Sequence, residues 1–263
     1  MQTLTDALER IMSWLYQHQP TYAETFLPGL SFDEILEFFE VMGFPPSDEL
    51  IELYEWRNGT PVSPVASVFP SFTFMPLDRA ANFFLEIGMD SILTELFMFN
   101  NRALFPFMED EGSYCATFIE QHSTLTSSVV SIDADGGGEW LDYTSVTALM
   151  LTLAESYEQE AYYFNSEGDI ETDALKLSRI LRKYNSEILE QALSDAKILL
   201  TDFEYSFEMY TFLDRSLRTL ARFRDSEGQE ILHQALDRFS SKKSREDTII
   251  YSMINDTLKK FPD

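Results

Sequence analysis

The sequence predicts an α+β fold of mixed helices and antiparallel sheet followed by an all-helical C-terminal extension. Three observations predict it: helical apolar stripes open the chain, alternating apolar segments separated by acidic or Gly-rich turns fill its centre, and a 3.6-residue period dominates the last third. With 263 residues, 44% hydrophobic and 14% aromatic, the chain can bury a core and is too apolar for a disordered acidic polypeptide.

Leu4, Leu8, Ile11, Met12 and Leu15 stand at helical spacing and Pro20 stops the run. Ser31 and Glu34 form a capping box for a second helix that should end near Gly43. After Phe44-Pro45-Pro46, Ser47 is positioned to cap a third, with Leu50, Leu53 and Tyr54 on one stripe and Asn58-Gly59 as a left-handed stop. Residues 60–77 interleave Pro61, Pro64, Pro70 and Pro76 with Val and Phe, which suits extended edges, with a short strand over Ser71–Met75. Asp78 is expected to cap a long helix carrying Phe83, Phe84, Ile87, Ile92 and Leu96, bent at Gly88.

Ala103–Met108 and Tyr114–Ile119 then read as a hairpin around the acidic turn Glu109-Asp110-Glu111-Gly112. Ser128–Ile132 and Glu139–Tyr143 read as a second hairpin, around a loop from Asp133 to Gly138 with three glycines. A helix through Leu149, Leu153 and Tyr157 starts at Thr144. Beyond it the pattern is wholly helical, with stripes over Leu177–Ala192, Met209–Leu220, Ile231–Phe239 and Ile250–Phe261, and Ser226 and Gln229 resembling a capping box. Four helices are expected there.

Charge divides the chain in the same place. Residues 1–175 carry four arginines, no lysine and thirty carboxylates, a net of −26, whereas the remainder has fifteen of each sign. This shift and the polar stretch Asn165–Asp169 place a boundary near residues 165–172, giving domains 1–168 and 169–263. An excess of this size repels phosphate backbones and argues against a nucleic-acid partner.

Cys115 is alone, so no intrachain disulfide forms, and a buried structural role is expected for it. No export signal or run of about 18 apolar residues is present. Together these predict a cytoplasmic protein with no membrane span. Asn58-Gly59-Thr60 matches a glycosylation sequon and is read as a turn.

The chemistry-bearing residue types do not assemble into a catalytic pattern. Counting from Asp133, a calcium loop would need Gly at its sixth position, where Gly138 stands, and Glu at its twelfth, where Thr144 stands. A hairpin loop fits better, and without a following Lys-Ser/Thr the glycines make no phosphate loop. His18, His122 and His233 are far apart, and no serine has a nucleophile-elbow signature. The expectation is a protein that is not an enzyme and uses neither metal nor cofactor.

Leu27-Pro28-Gly29, Pro45-Pro46, Leu50, Leu53, Tyr54, Asn58-Gly59, Pro76-Leu77, Phe105-Pro106-Phe107, Gly112, Tyr114 and a closing helix over Val146–Tyr163 occur in an order that resembles the SUKH superfamily of fungal cell-wall assembly regulators and bacterial toxin-immunity proteins. The resemblance covers residues 22–165 and leaves the helical tail outside. It implies a compact α+β module without a catalytic centre that binds other proteins, some members neutralising toxins, many of them nucleases. The charge agrees in sign, since an anionic segment steers a basic partner.

Within that frame Glu109, Asp110 and Glu111 of the first hairpin turn are the favoured partner-binding cluster, joined by Asp133, Asp135 and Glu139 of the second. Trp56 and Trp140 are the candidate aromatic anchors. The expected partner is a basic protein, such as a nuclease-type toxin. A regulatory scaffold whose helical tail holds a partner in a groove is the alternative.

Overall fold

The computed structural model describes residues 3–61, 72–110, 112–119, 127–134, 138–165, 170–201, 203–240 and 244–261. The chain folds as two compact units, Met1–Asp173 and Ala174–Asp263.

Unit 1 is built as α helices around an antiparallel sheet. In α1 (Leu4–His18) a Thr3–Asp6 capping box starts the helix, and Leu4, Leu8, Ile11, Met12 and Leu15 are buried. Pro20 ends that run and is itself the first residue of a one-turn helix, α2 (Pro20–Ala23), where its missing N–H costs nothing. Ser31 and Glu34 form the expected box on α3 (Phe32–Met42), which closes through left-handed Gly43. Ser47 Oγ accepts from Leu50 N at 3.2 Å to cap α4 (Asp48–Trp56).

Asn58-Gly59 does not terminate α4, because the chain already turns extended at Arg57. Gly59 answers a different need: with φ at +71°, any Cβ would lie 2.5 Å from the Met75 carbonyl carbon. The residues around it are tied together. Leu27 N donates to Gly59 O at 2.9 Å, Thr60 N to Phe74 O at 2.9 Å and Leu77 N to Asn58 Oδ1 at 2.8 Å.

β1 is only Thr73–Phe74, and Ser71, Pro64 and Pro70 lie outside the described residues. The long helix expected from Asp78 is two helices, α5 (Leu77–Ile87) and α6 (Ser91–Leu96). Pro76, not Asp78, occupies the N-cap of α5, and Asn58 supplies the missing acceptor. Asp90 breaks the run because its Oδ1 accepts from Ile92 N at 2.8 Å and Leu93 N at 3.1 Å, starting a fresh helix.

β2 (Met98–Phe99) turns through Asn100 and Asn101, both with positive φ, into β3 (Arg102–Asp110). This is the primed type of turn that matches strand twist. β4 (Ser113–Phe118), β5 (Val129–Asp133) and β6 (Gly138–Tyr143) complete a sheet of order β1-β3-β4-β5-β6, with β2 also pairing β3. One face carries Leu104, Ala116, Val130 and Ile132, covered by Ile87, Phe97 and Phe99. On the other face Phe105 meets the rings of Phe39, Phe44 and Phe84. Cys115 is buried, as expected.

The closing helix α7 (Val146–Glu158) starts one residue after its cap, Ser145, and not at Thr144. It ends before Tyr163 because Glu160 turns left-handed, and β7 (Tyr162–Phe164) pairs with β8 (Ile170–Thr172). Three residues expected in the helical extension are therefore strand, and Ser166–Asp169, most of the expected joint, lies outside the described residues.

From Ala174 the described chain is helical. The stripe over 177–192 is divided by buried Asn185 into α8 (Ala174–Tyr184) and α9 (Ser186–Ala196). A 3-10 turn (Lys197–Leu200), α10 (Phe207–Phe223), α11 (Ser226–Ser240) and α12 (Arg245–Leu258) follow, so five α-helices stand where four were expected. The cap of α11 is Asp225, whose Oδ1 accepts from Glu227 N at 2.9 Å, and not Ser226. No helix among the described residues is long and apolar enough to cross a membrane.

Candidate functional site

The sheet brings the two acidic hairpins to one end. Ala134 N donates to Gly112 O at 2.9 Å, linking their tips. The last cross-strand row is Asp110, Ser113, Asp133 and Gly138; the row before it is Glu109, Tyr114, Ile132 and Glu139. Residues paired across a row share a face, and successive rows alternate. Asp110 and Asp133 thus point to one side of the sheet and Glu109 and Glu139 to the other.

The placement of the expected partner-binding residues differs from the turn read in the sequence. Glu109 and Asp110 belong to β3 and not to a turn, because β3 runs two residues past the expected strand and pairs with β4 to its last residue. The described carboxylates also divide between the two sides of the sheet. Glu109 and Glu139, three strands apart, are about 14 Å from each other at ordinary strand spacing. Glu111 and Asp135 lie outside the described residues.

Glu109 is further constrained. Its Oε1 sits 2.6 Å from the Arg79 guanidinium, with the carboxylate side chain only 20% exposed. Burial raises its pKa above the ordinary carboxylate value, and the guanidinium opposes that rise. Burial likewise raises the Tyr114 phenol, with the Glu109 charge adding to it. The Tyr114 ring stacks on Phe83 at 5.1 Å. Glu109 thus ties α5 to β3 through Arg79.

Trp140 pairs across the ladder with Ser131, on the same face as Cys115, and is half-buried. Trp56, at the end of α4, packs 5.6 Å from the Phe26 ring and beneath the Arg57 guanidinium. Trp56 and Trp140 thus stand on different elements, α4 and β6.

Other groups gain importance from the structure. Glu49, 5% exposed, accepts from Ser127 N at 2.8 Å and Val146 N at 3.3 Å through Oε2, and from Thr147 N at 3.0 Å and Thr147 Oγ1 at 2.5 Å through Oε1. A carboxylate of α4 thereby satisfies the open donors at the start of α7. In sequence Glu49 looks like an ordinary first-turn acid, and nothing local announces its burial. Trp14, also missed, stacks on His18 and Tyr157 at 4.3 Å each. Beside it a surface hollow of about 600 Å³ is lined by Asp6, Glu9, Arg10, Gln17 and Glu158 among others.

All four arginines of unit 1 are engaged within it. Arg10 makes two hydrogen bonds to Glu158, at 2.7 and 2.5 Å, and Arg79 binds Glu109. Arg57 lies over Trp56 and Arg102 sits 3.8 Å above the Phe118 ring. The net of −26 over residues 1–173 is therefore carried by a surface whose few cations are held down. No group of three or more His, Cys, Asp or Glu side chains arranged to hold a metal occurs among the described residues. At the sheet end Asp110, Asp133 and Glu139 are half-buried and Glu109 is bound to Arg79, so carboxylates stand on both sides of the sheet there.

No family model matches this chain, and no curated protein sequence matches it.

Proposed function

We propose that unit 1 is a non-enzymatic protein-binding module of the immunity type, which neutralises a basic toxin of the nuclease class by docking on it. The observation that carries this reading is the charge partition: thirty carboxylates against four arginines in residues 1–173, and exact balance in the rest. Such a field accelerates encounter with a cationic partner and fixes its sign, while packed apolar contacts supply residence time. The SUKH-like order of motifs supports a module of this kind acting in the cytoplasm.

The motif residues support it in a specific way. Leu27, Asn58, Gly59 and Leu77 bind one another's backbone, so they hold the scaffold.

The test is inhibition of a panel of purified cationic nuclease domains by the full chain. Inhibition at ~50 mM salt that weakens at least tenfold by ~500 mM is expected. Absence of association with every member at the lower salt overturns the reading.

A further inference from the structure

Unit 1 carries an apolar projection that its own core does not use. Met89 and Ile92, in and just after the break between α5 and α6, are 85% and 76% exposed, the two most exposed large hydrophobic side chains described in the unit. Glu86, Asp90 and Glu95 flank them and are exposed as well.

The projection is mounted rigidly. Behind it Leu93 and Leu96 pack on the cluster formed by Ile87, Phe97, Phe99, Leu104 and Ile132. Thr94 Oγ1 donates to Ile87 O at 2.7 Å and to Asp90 O at 2.8 Å, and Asp90 Oδ1 holds the first amides of α6. The inward positions are occupied, so Met89 and Ile92 have no route into the core. α6 itself buries no residue fully. An outward apolar pair on a stapled turn, ringed by carboxylates, has the anatomy of an interface centre with a charged rim, and its ordering cost is met before binding.

Resting on the reading of unit 1 as an acidic docking module, we propose that Met89 and Ile92 are its anchor, inserting into an apolar depression rimmed by Lys or Arg on the cationic partner. Charge complementarity selects that occupant. Glu86, Asp90 and Glu95 attract a basic rim, whereas a second copy of this chain would bring another net charge of −26 against the first.

The experiment uses the full chain and two fluorescent peptides of equal length and charge, one alternating Lys with Leu and one alternating Lys with Ser, titrated at ~50 mM salt. Wild type is expected to bind the Lys/Leu peptide at least tenfold more tightly than the Lys/Ser peptide. The double substitution Met89→Ser, Ile92→Ser is expected to remove that preference and leave Lys/Ser binding unchanged. Both positions are exposed, and an unchanged far-UV spectrum verifies the fold. A variant that keeps the preference overturns the anchor and leaves the acidic docking reading standing. Wild type that binds neither peptide overturns both. Self-association of wild type in sedimentation, lost in the variant, overturns the proposal in favour of a second copy.

Discussion

The two units satisfy their helix ends with different inventories. Unit 1 has no lysine and places carboxylates where backbone donors are open: Asp6, Glu34 and Asp90 at helix starts, and Glu49 across the start of α7. Unit 2 balances fifteen of each sign; it too sets carboxylates, Asp225 and Asp247, at helix starts, and it adds arginine at the other polarity. Arg182 donates to Phe223 O at 2.9 Å and Arg224 O at 2.8 Å, and Arg238 to the carbonyls of Leu199 and Thr201, capping the ends of α10 and of the 3-10 turn. Both inventories produce satisfied helix ends. A handful of carboxylates is enough for that task, so the remaining excess in unit 1 is not required by its helix ends.

The largest expected effect that sharpens this contrast comes from Glu49→Leu. It orphans three backbone amides and the Thr147 hydroxyl in a buried place, and should cost unit 1 about 3–5 kcal/mol. Urea unfolding followed by a probe in each unit should show the loss in unit 1 with unit 2 unmoved. Equal shifts in both would end the description of two separately supported units.

Alkaline titration comes next. Burial raises the phenols of Tyr54, Tyr143, Tyr157 and Tyr162 far above their ordinary value, while in unit 2 burial and the Asp247 hydrogen bond push Tyr205 up to about 12. A raised phenol keeps its proton in the folded state while the unfolded chain releases it at pH ~10. Stability is therefore intact below that pH and falls as pH rises toward the folded-state values. Tyrosinate absorbance should show these four rings ionising only together with the unfolding of unit 1. Early ionisation of any of them would contradict its burial.

The smallest effect concerns Arg79→Met. Removing the counter-charge leaves the Glu109 carboxylate half-buried beside Tyr114, a loss of about 1 kcal/mol at neutral pH given the partial exposure of the pair. Protonation of Glu109 relieves it, so the deficit should shrink as pH falls to ~4, measured by thermal unfolding across pH. A deficit independent of pH would assign Arg79 a packing role only.

Much of this architecture was legible where a local rule acts on adjacent residues. The Ser31–Glu34 box, the Gly43 stop and the second hairpin follow from hydrogen bonds that close within a few residues. Errors arose where a distant group competes. Asn58, nineteen positions upstream, replaces Asp78 as acceptor at α5. Asn185 divides a stripe whose apolar period continues on either side of it, so periodicity alone reads one helix. The candidate site suffered in the same manner. Glu109 reads as a turn acid until Arg79 and the paired strands β3 and β4 come into view, and the alternation of the sheet separates neighbours in sequence onto opposite faces.

Lysine is absent from residues 1–173, and all seven lysines of the chain lie at or beyond Lys176. Every side-chain amine that an acylating dye, a surface-immobilising ester or an isopeptide-forming conjugase can attack therefore belongs to the helical unit. The acidic module can be tethered, tagged or marked for turnover through its neighbour with none of its own side chains acylated.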